Sequence, residues 1–320
     1  MNGPRTTPVL VNRREHEADV LLREVGAENG DRLLAKVRLA DVVDPGDWMG
    51  SRRDLGTYAL QSHLDFVMVD DETSVPRFAV EIDGAQHSRD PRQRQRDLKK
   101  DELCRAAGLP LLRVNSEFGR REGRHILLKY ICDAFYKSVV FEAAQESGAI
   151  PRDEPYWHAS FIERDEDTGA IYFGSIDAKA RAELLDLWEG GSLPTFYPEA
   201  WIGEADEWGD IRAEVYLPVG NRMTLVGSSR VRQFGFFGIA ASELAEELAI
   251  LDLRRQVDAW LTGEAVALSE LTFRARFRAF VSNNKPMNHT SSSGGDPDDR
   301  IPYPPFEIKY GPEYAVTFAD

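Results

Sequence analysis

Short apolar runs bounded by turn residues alternate along the chain with longer stretches of helical spacing. The pattern is sharpest between Leu64 and Val114. Two apolar runs, Leu64–Val69 and Phe78–Ile82, flank the polar segment DDETSVPR, which predicts a hairpin. Beyond Gly84 the spacing changes: Arg94 to Ala107 is charged, carries Leu103, Ala106 and Ala107 on one stripe, and stops at Gly108, a residue suited to ending a helix. Leu111, Leu112 and Val114 then begin a third strand after Pro110. Strand, strand, helix, strand in that order implies a crossover helix on a sheet that is at least partly parallel. Upstream, Val20, Leu21, Leu22 and Val25 predict an amphipathic helix over Glu15–Val25. Leu33 to Val43 reads as an imperfectly alternating strand, and Asp44 to Thr57 as a loop. Ile126 to Ala144 has the spacing of a long helix.

Gly148 to Pro155 is rich in turn formers and divides the chain into an α/β domain, 1–148, and an α+β domain of unknown type, 149–320. In the second part, Phe161–Arg164 with Ile171–Phe173 and Val215–Leu217 with Met223–Val226 predict two hairpins. Ala178–Trp188 and Ser242–Trp260 predict helices, the latter with Leu244, Leu248, Leu251 and Val257 near one stripe. Residues 283–305 are of low complexity. Trp157, Trp188, Trp201, Trp208 and Trp260 all fall in this part, where acidic surroundings favour core or interface anchors over base-stacking platforms. The sequence holds no phosphate-binding P-loop, no GxGxxG and no GxSxG.

Charge changes the picture more than composition does. The 320 residues carry a net charge of −15, unusual for a nucleic-acid binder, but it is unevenly spread. Residues 1–150 hold 23 basic and 25 acidic side chains, whereas 151–320 hold 16 and 29. An acidic field repels phosphates, so the second part is unsuited to holding DNA over its whole surface. Basic residues gather in the first part at Arg89, Arg92, Arg94, Arg96, Lys99 and Lys100, and again at Arg120, Arg121 and Arg124; a solvated mixed-charge helix face is the plain alternative. With 42% hydrophobic residues the chain can build a core. Cys104 and Cys132 both sit among apolar neighbours in helical patterns, which predicts buried free thiols, not a disulfide or zinc site. No apolar span is long enough for a membrane helix and the N-terminus lacks a signal-peptide core, so the expected compartment is the cytoplasm.

Acids interrupt the apolar runs. Alternation puts Glu81 and Asp83 on one face about 7 Å apart, and a neighbouring strand about 4.8 Å away brings Asp65 within reach. Carboxylates held together repel one another unless a cation joins them, and Mg²⁺ or Mn²⁺ suits an oxygen-only site. The alternative is two acids ending a strand at the surface and a third paired with arginine; spacing alone leaves both open. His87 after the second strand and His63 before the first are proton carriers by type, but neither has zinc-ligand spacing.

These residues carry a resemblance. Asp65-Phe66, Glu81-Ile82-Asp83-Gly84, His87, Arg96-Asp97, Lys100-Asp101 and Gly108-Leu109-Pro110-Leu111-Leu112-Arg113, with Ala35 to Asp41 and Glu17 upstream, resemble the PD-(D/E)XK, or restriction-endonuclease-like, nuclease superfamily. Within it they look most like the group labelled domain of unknown function 2726, similar to very-short-patch-repair endonucleases. The likeness covers residues 14 to about 140.

The resemblance implies a restriction-endonuclease-like mixed sheet flanked by helices, and Mg²⁺-dependent hydrolysis of DNA phosphodiesters in defence, repair or mobile-element processing. It assigns the metal to Asp65, Glu81 and Asp83 with Glu17 facing them, and catalytic roles to these strand acids, Lys100 and His87. One departure stands out: Asp83 occupies the position where the superfamily carries lysine. In the resembling group the lysine has moved to the following helix, where Lys100 matches and Lys99 is its rival. Asp83 and the net acidity favour another class of function, a degenerate nuclease fold that binds nucleic acid or protein. The acidic second domain offers a surface for a protein partner.

Overall fold

The computed structural model describes residues 6, 8–10, 12–46, 48–82, 91–114, 118–164, 169, 171–205 and 209–287. Helix α1, Arg13–Asn29, opens where the Asn12 side chain accepts the Glu15 N–H and closes at Gly30, whose φ of 72° only glycine adopts freely. Strand β1, Asp31–Arg38, follows, then short helix α2, Trp48–Ser51, and α3, Arg53–Gln61. Strands β2, His63–Asp70, and β3, Pro76–Ile82, form the expected hairpin. Its turn is held by Asp70 Oδ1, which accepts from both the N–H and the hydroxyl of Thr73 at 2.7 Å. Helix α4, Pro91–Ala106, crosses to β4, Leu111–Val114, which pairs parallel to β3. The sheet order is β1-β2-β3-β4, antiparallel except at its last pair, so the first part is mixed α/β as its pattern predicts.

Alternation along the central strands faces the two sides of this sheet with different layers. Phe66, Met68, Phe78, Val80 and Leu112 join Ala18, Leu22 and Val25 of α1 in one core. Val67, Val69, Ala79 and Leu111 join Leu55 and Ala59 of α3 and Leu103 and Cys104 of α4 in another. The small strands β5, Arg121–Glu122, and β6, His125–Ile126, lead into α5, Leu127–Glu146, which buries Leu128, Ile131 and Phe135 in the first core.

Past residue 148 the chain forms β7, Ile162–Arg164, and β8, Ile171–Phe173, as a small hairpin, then α6, Ala178–Glu189. Strands β9, Glu199–Glu204, β10, Asp210–Gly220, and β11, Met223–Arg232, make an antiparallel sheet crossed by α7, Ala241–Leu261. Strand β12, Leu268–Ser269, helix α8, Glu270–Asn283, and β13, Lys285–Pro286, complete a sheet of order β12-β11-β10-β9-β13. The β10–β11 turn uses Asn221 and Arg222, both at positive φ, the geometry that matches strand twist in a two-residue hairpin. Gly227 lets α7 lie directly on β11, since a Cβ there would sit 2.2 Å from Leu253 N.

One apolar core runs across residue 148, the position at which the pattern divides the chain. Phe78 of β3 meets Phe135 of α5 at 4.9 Å and Phe236 at 5.2 Å, ring centre to ring centre, and Leu184 and Leu248 belong to the same cluster. Edge-to-face contacts of this kind add about 0.5–1.5 kcal/mol each beyond area burial. Buried polar groups cross the seam as well: Tyr130 donates to Glu247 Oε2 at 2.8 Å, and Glu247 Oε1 meets His158 Nε2 at 2.7 Å. Burial raises the Glu247 carboxyl to about 7, against the pull of His158.

Several elements differ from the pattern-based expectation. The Asp44–Thr57 stretch contains α2 and most of α3, because Leu55 and Ala59 pack as one buried face of that helix. The strand expected to reach Val43 ends at Arg38, and Leu39–Asp41 turns as a 3₁₀ helix. Helix α8, not foreseen, buries Phe273, Phe277 and Phe280. Trp201 is an anchor, stacked within 4.5 Å of Phe277 and 4.8 Å of Tyr216; Trp157 is 53% exposed, and Trp208 lies outside the described residues. Cys104 and Cys132 are buried and free, as expected. No helix among the described residues is long and apolar enough to cross a membrane.

The seam is testable at Gly238. Its φ is 92°, and a Cβ there would lie 2.2 Å from Ala134 O of α5. Gly238→Ala should therefore cost more than about 3 kcal/mol in chemical denaturation, through both clash and strain. A loss under about 1 kcal/mol would show that this turn does not press on α5.

Candidate functional site

The site begins with a break in the sheet. The β2–β3 ladder runs from Val69↔Pro76 to Phe66↔Val80, and beyond it side chains replace backbone partners. Asp65 Oδ2 accepts the Ile82 N–H at 2.9 Å, and Glu81 Oε1 accepts the Asp65 N–H at 3.1 Å. The other flank of β2 is interrupted at the same level. Ala35↔Phe66 and Val37↔Leu64 pair, but Lys36 between them has a φ of 53°, a left-handed conformation costly for a residue with a Cβ. That twist carries the Lys36 ammonium to Asp65 Oδ1 at 2.6 Å and to Glu15 Oε1 at 3.1 Å. Non-glycine residues held in this region are concentrated at functional sites.

Glu81 is the buried centre. The Lys100 ammonium reaches its Oε2 at 2.8 Å and also donates to the His63 carbonyl at 2.7 Å. Both side chains are about nine-tenths buried. Burial raises the Glu81 pKa above the ordinary value; Lys100 and Arg113 pull it down, and Asp65 pushes it up. For Lys36, burial is opposed by hydrogen bonding and attraction from Asp65, then Glu15, and the pKa ends above the ordinary lysine value. Glu15, Lys36, Asp65, Glu81 and Lys100 thus form a connected chain of charged side chains across β1, β2 and β3, with the two adjacent acids Asp65 and Glu81 flanked by lysines and the whole closed by α1 on one side and α4 on the other. Arg113 on β4 extends it, binding Asp101 at 2.8 Å and Asp97 at 3.5 Å; Arg232 of β11 reaches Asp97 at 3.0 Å across the seam.

Of the residues singled out in the sequence, Asp65, Glu81 and Lys100 converge. Asp83 and His87 lie outside the described residues. Glu17 faces solvent and pairs with Arg13 at 2.7 Å. Glu15, two residues earlier, takes the inward position, because it shares the buried stripe of Ala18, Leu22 and Val25. That spacing of three, four and three residues was the available signal for Glu15; nothing in the pattern marks Lys36. Lys99 points to Asp54 at 3.3 Å, away from Glu81's partner set. His63 contributes its backbone carbonyl.

The donor set bears on a metal in two ways. Glu15, Asp65 and Glu81 offer only carboxylate oxygen, the chemistry a hard divalent ion prefers. Yet Lys36 is shared by Glu15 and Asp65 and Lys100 pairs with Glu81, and no group of three or more ligating side chains placed to hold an ion occurs among the described residues. Among the described residues the site thus offers two strand carboxylates, Asp65 and Glu81, each held by a lysine ammonium.

Residues 8–126 match the model of a family described as Protein of unknown function (DUF2726), a span that contains every member of the charge chain. No curated protein and no solved structure matches the chain.

Two substitutions separate the buried helix acid from the exposed one. Glu15→Ala removes one of the two carboxylates that hold Lys36 and should lower stability in denaturant melts by about 1–3 kcal/mol. Glu17→Ala should change it by less than about 0.5 kcal/mol. Lys100→Met adds a pH signature. Glu81 already titrates above its ordinary value, so its share of stability is complete at acid pH and falls as pH rises through the folded pKa. Removing Lys100 raises that pKa further, so the variant's deficit should widen from acid to alkaline pH; a constant deficit would show that Glu81 does not titrate against this lysine.

Proposed function

We propose that the chain is a metal-dependent nuclease hydrolysing DNA phosphodiester bonds. The observation that carries this reading is the meeting of Lys100 with Glu81 at 2.8 Å, beside Asp65. A lysine supplied by the following helix, not by the strand, reaches the strand acid Glu81, as the resemblance to the group with a displaced lysine implies. Asp65 and Glu81 would hold Mg²⁺ or Mn²⁺, with Asp83 the third acid of the same stretch. The bound ion would polarise the scissile phosphate and lower the pKa of an attacking water.

The chain's own groups then have distinct tasks. Lys100 draws the Glu81 pKa down against burial and presents positive charge where a pentavalent phosphate gathers negative charge. Lys36 orients Asp65 through Oδ1 while the Ile82 N–H fixes Oδ2, so the carboxylate is held before substrate arrives. Arg96, exposed on α4 and with no ion-pair partner among the described residues, offers a phosphate contact close in sequence to the site.

A second reading, a catalytically degenerate fold that binds nucleic acid or protein, is favoured by one observation: both site acids are already neutralised by lysines. Two measurements distinguish them. Calorimetric titration with Mg²⁺ or Mn²⁺ should show binding that Glu81→Ala abolishes. On linear, nicked, branched and single-stranded DNA, Lys100→Ala should slow cleavage about 100-fold while Lys99→Ala does far less. Metal binding unaltered in Glu81→Ala, or equal cleavage by wild type and Lys100→Ala, would leave the binding module as the better account.

A further inference from the structure

A groove follows the seam on the α4–β4 side, and Arg113, 4.0 Å from Glu81, lines its smaller chamber. Its larger chamber, about 430 Å³, lies within the range of small-molecule sites and joins a chamber of about 270 Å³ through shared walls. Leu109 and Phe234 form apolar wall in both chambers. Phe237, 64% exposed, lines the larger chamber. Three polar side chains line the groove without a hydrogen-bond or ion-pair partner among the described residues: Arg105, Gln233 and Ser242. Ser242 is the telling one: the residue is only 6% exposed, it lines the groove, and its side chain has no partner among the described residues.

Ser242 also stands in the first turn of α7, a 21-residue helix whose N-cap, Ala240, has no side-chain acceptor to offer. The N–H groups of Ala241, Ser242 and Glu243 have no acceptor among the described residues. Such a helix start attracts anions. Two acids stand nearby. Glu243 turns its carboxylate back onto the Ala240 N–H at 2.8 Å, and Asp101 is taken by Arg113 at 2.8 Å.

We infer that this groove binds a nucleoside 5′-phosphate, with its phosphate at the start of α7 between Ser242 and Arg105 and its base against Phe237. The phosphate satisfies the unpartnered hydroxyl, amides and guanidinium together, and stacking on an aromatic ring is worth about 1–3 kcal/mol per base. Gln233 can hydrogen-bond a base edge. The same chemistry is offered by a free mononucleotide and by the 5′-phosphorylated end of a strand. The inference uses none of Asp65, Glu81 or Lys100, so it stands apart from the proposed nuclease chemistry.

The test is calorimetry on the full chain in a chelator, where no cleavage occurs, with thymidine 5′-monophosphate, thymidine and inorganic phosphate. The monophosphate should bind at least about ten-fold more tightly than thymidine. Arg105→Ala should weaken it about ten-fold, and Phe237→Ala should weaken it similarly while leaving inorganic phosphate unaffected. Both residues are exposed, and unchanged melting temperatures would show that the fold is intact. Glu81→Ala should leave this binding unaltered, whatever it does to cleavage. Oligothymidylates with and without a 5′-phosphate separate the sources: a phosphorylated strand binding more tightly than the monophosphate identifies a strand end, and the reverse order a free nucleotide. Equal affinity for the monophosphate and thymidine, no saturable binding at millimolar concentration, or binding indifferent to both substitutions would overturn the inference.

Discussion

A buried carboxylate at the centre of a sheet is the constraint on which this structure turns. Glu81 sits where β2 and β3 part, and an unpaired charge there would cost several kcal/mol. Its two oxygens are therefore spoken for, one by the Asp65 N–H and one by Lys100. Meeting that need fixes much else. Lys100 must arrive from α4, which pins the crossover helix to the sheet, and Asp65 must return the favour to Ile82, which holds the fork open at a set width. Lys36 then has to leave the strand conformation to serve Asp65 and Glu15. The arrangement that stabilises the charge is also one that preorganises two acids and a lysine, so stability and chemistry draw on the same contacts.

The second part of the chain is not an appendage to this centre. Arg232 binds Asp97 on α4, Phe236 meets Phe78 of the sheet edge-to-face, and Glu122 of β5 pairs with Arg255 of α7 at 3.1 Å. The seam consequently has an apolar middle and a charged margin, and the groove proposed to take a nucleotide opens along that margin. A ligand there would touch both parts at once, giving the acidic half a role other than spreading over DNA, for which its charge is unsuited.

Legibility varied with the kind of signal. Asp65 and Glu81 stood out because acids inside apolar runs violate alternation, and such violations are where function or strain is found. Lys100 became visible only through the resemblance, since a lysine in so charged a helix carries no mark of burial. Glu15 was within reach, because it falls on the same stripe as Ala18, Leu22 and Val25, but a polar residue beside three exposed ones does not announce itself. Lys36 was beyond reach: its φ of 53° arises from the packing of β1 between α1 and β2, and no residue preference encodes it.

The sequence by itself determined the hairpin, the crossover helix, the parallel last strand and the long helices α5 and α7, because alternation, helical spacing and terminating glycines are local properties. It also determined that two cysteines would be buried thiols. Only the tertiary structure decided that the apolar faces on either side of residue 148 close on each other, that α3 and α8 are helices with one covered face, and that a helix lysine completes the acid pair. Periodicity states which face of an element seeks cover and leaves unstated what covers it. That choice depends on contacts between residues far apart in the chain, such as Phe78 with Phe236 and Glu81 with Lys100.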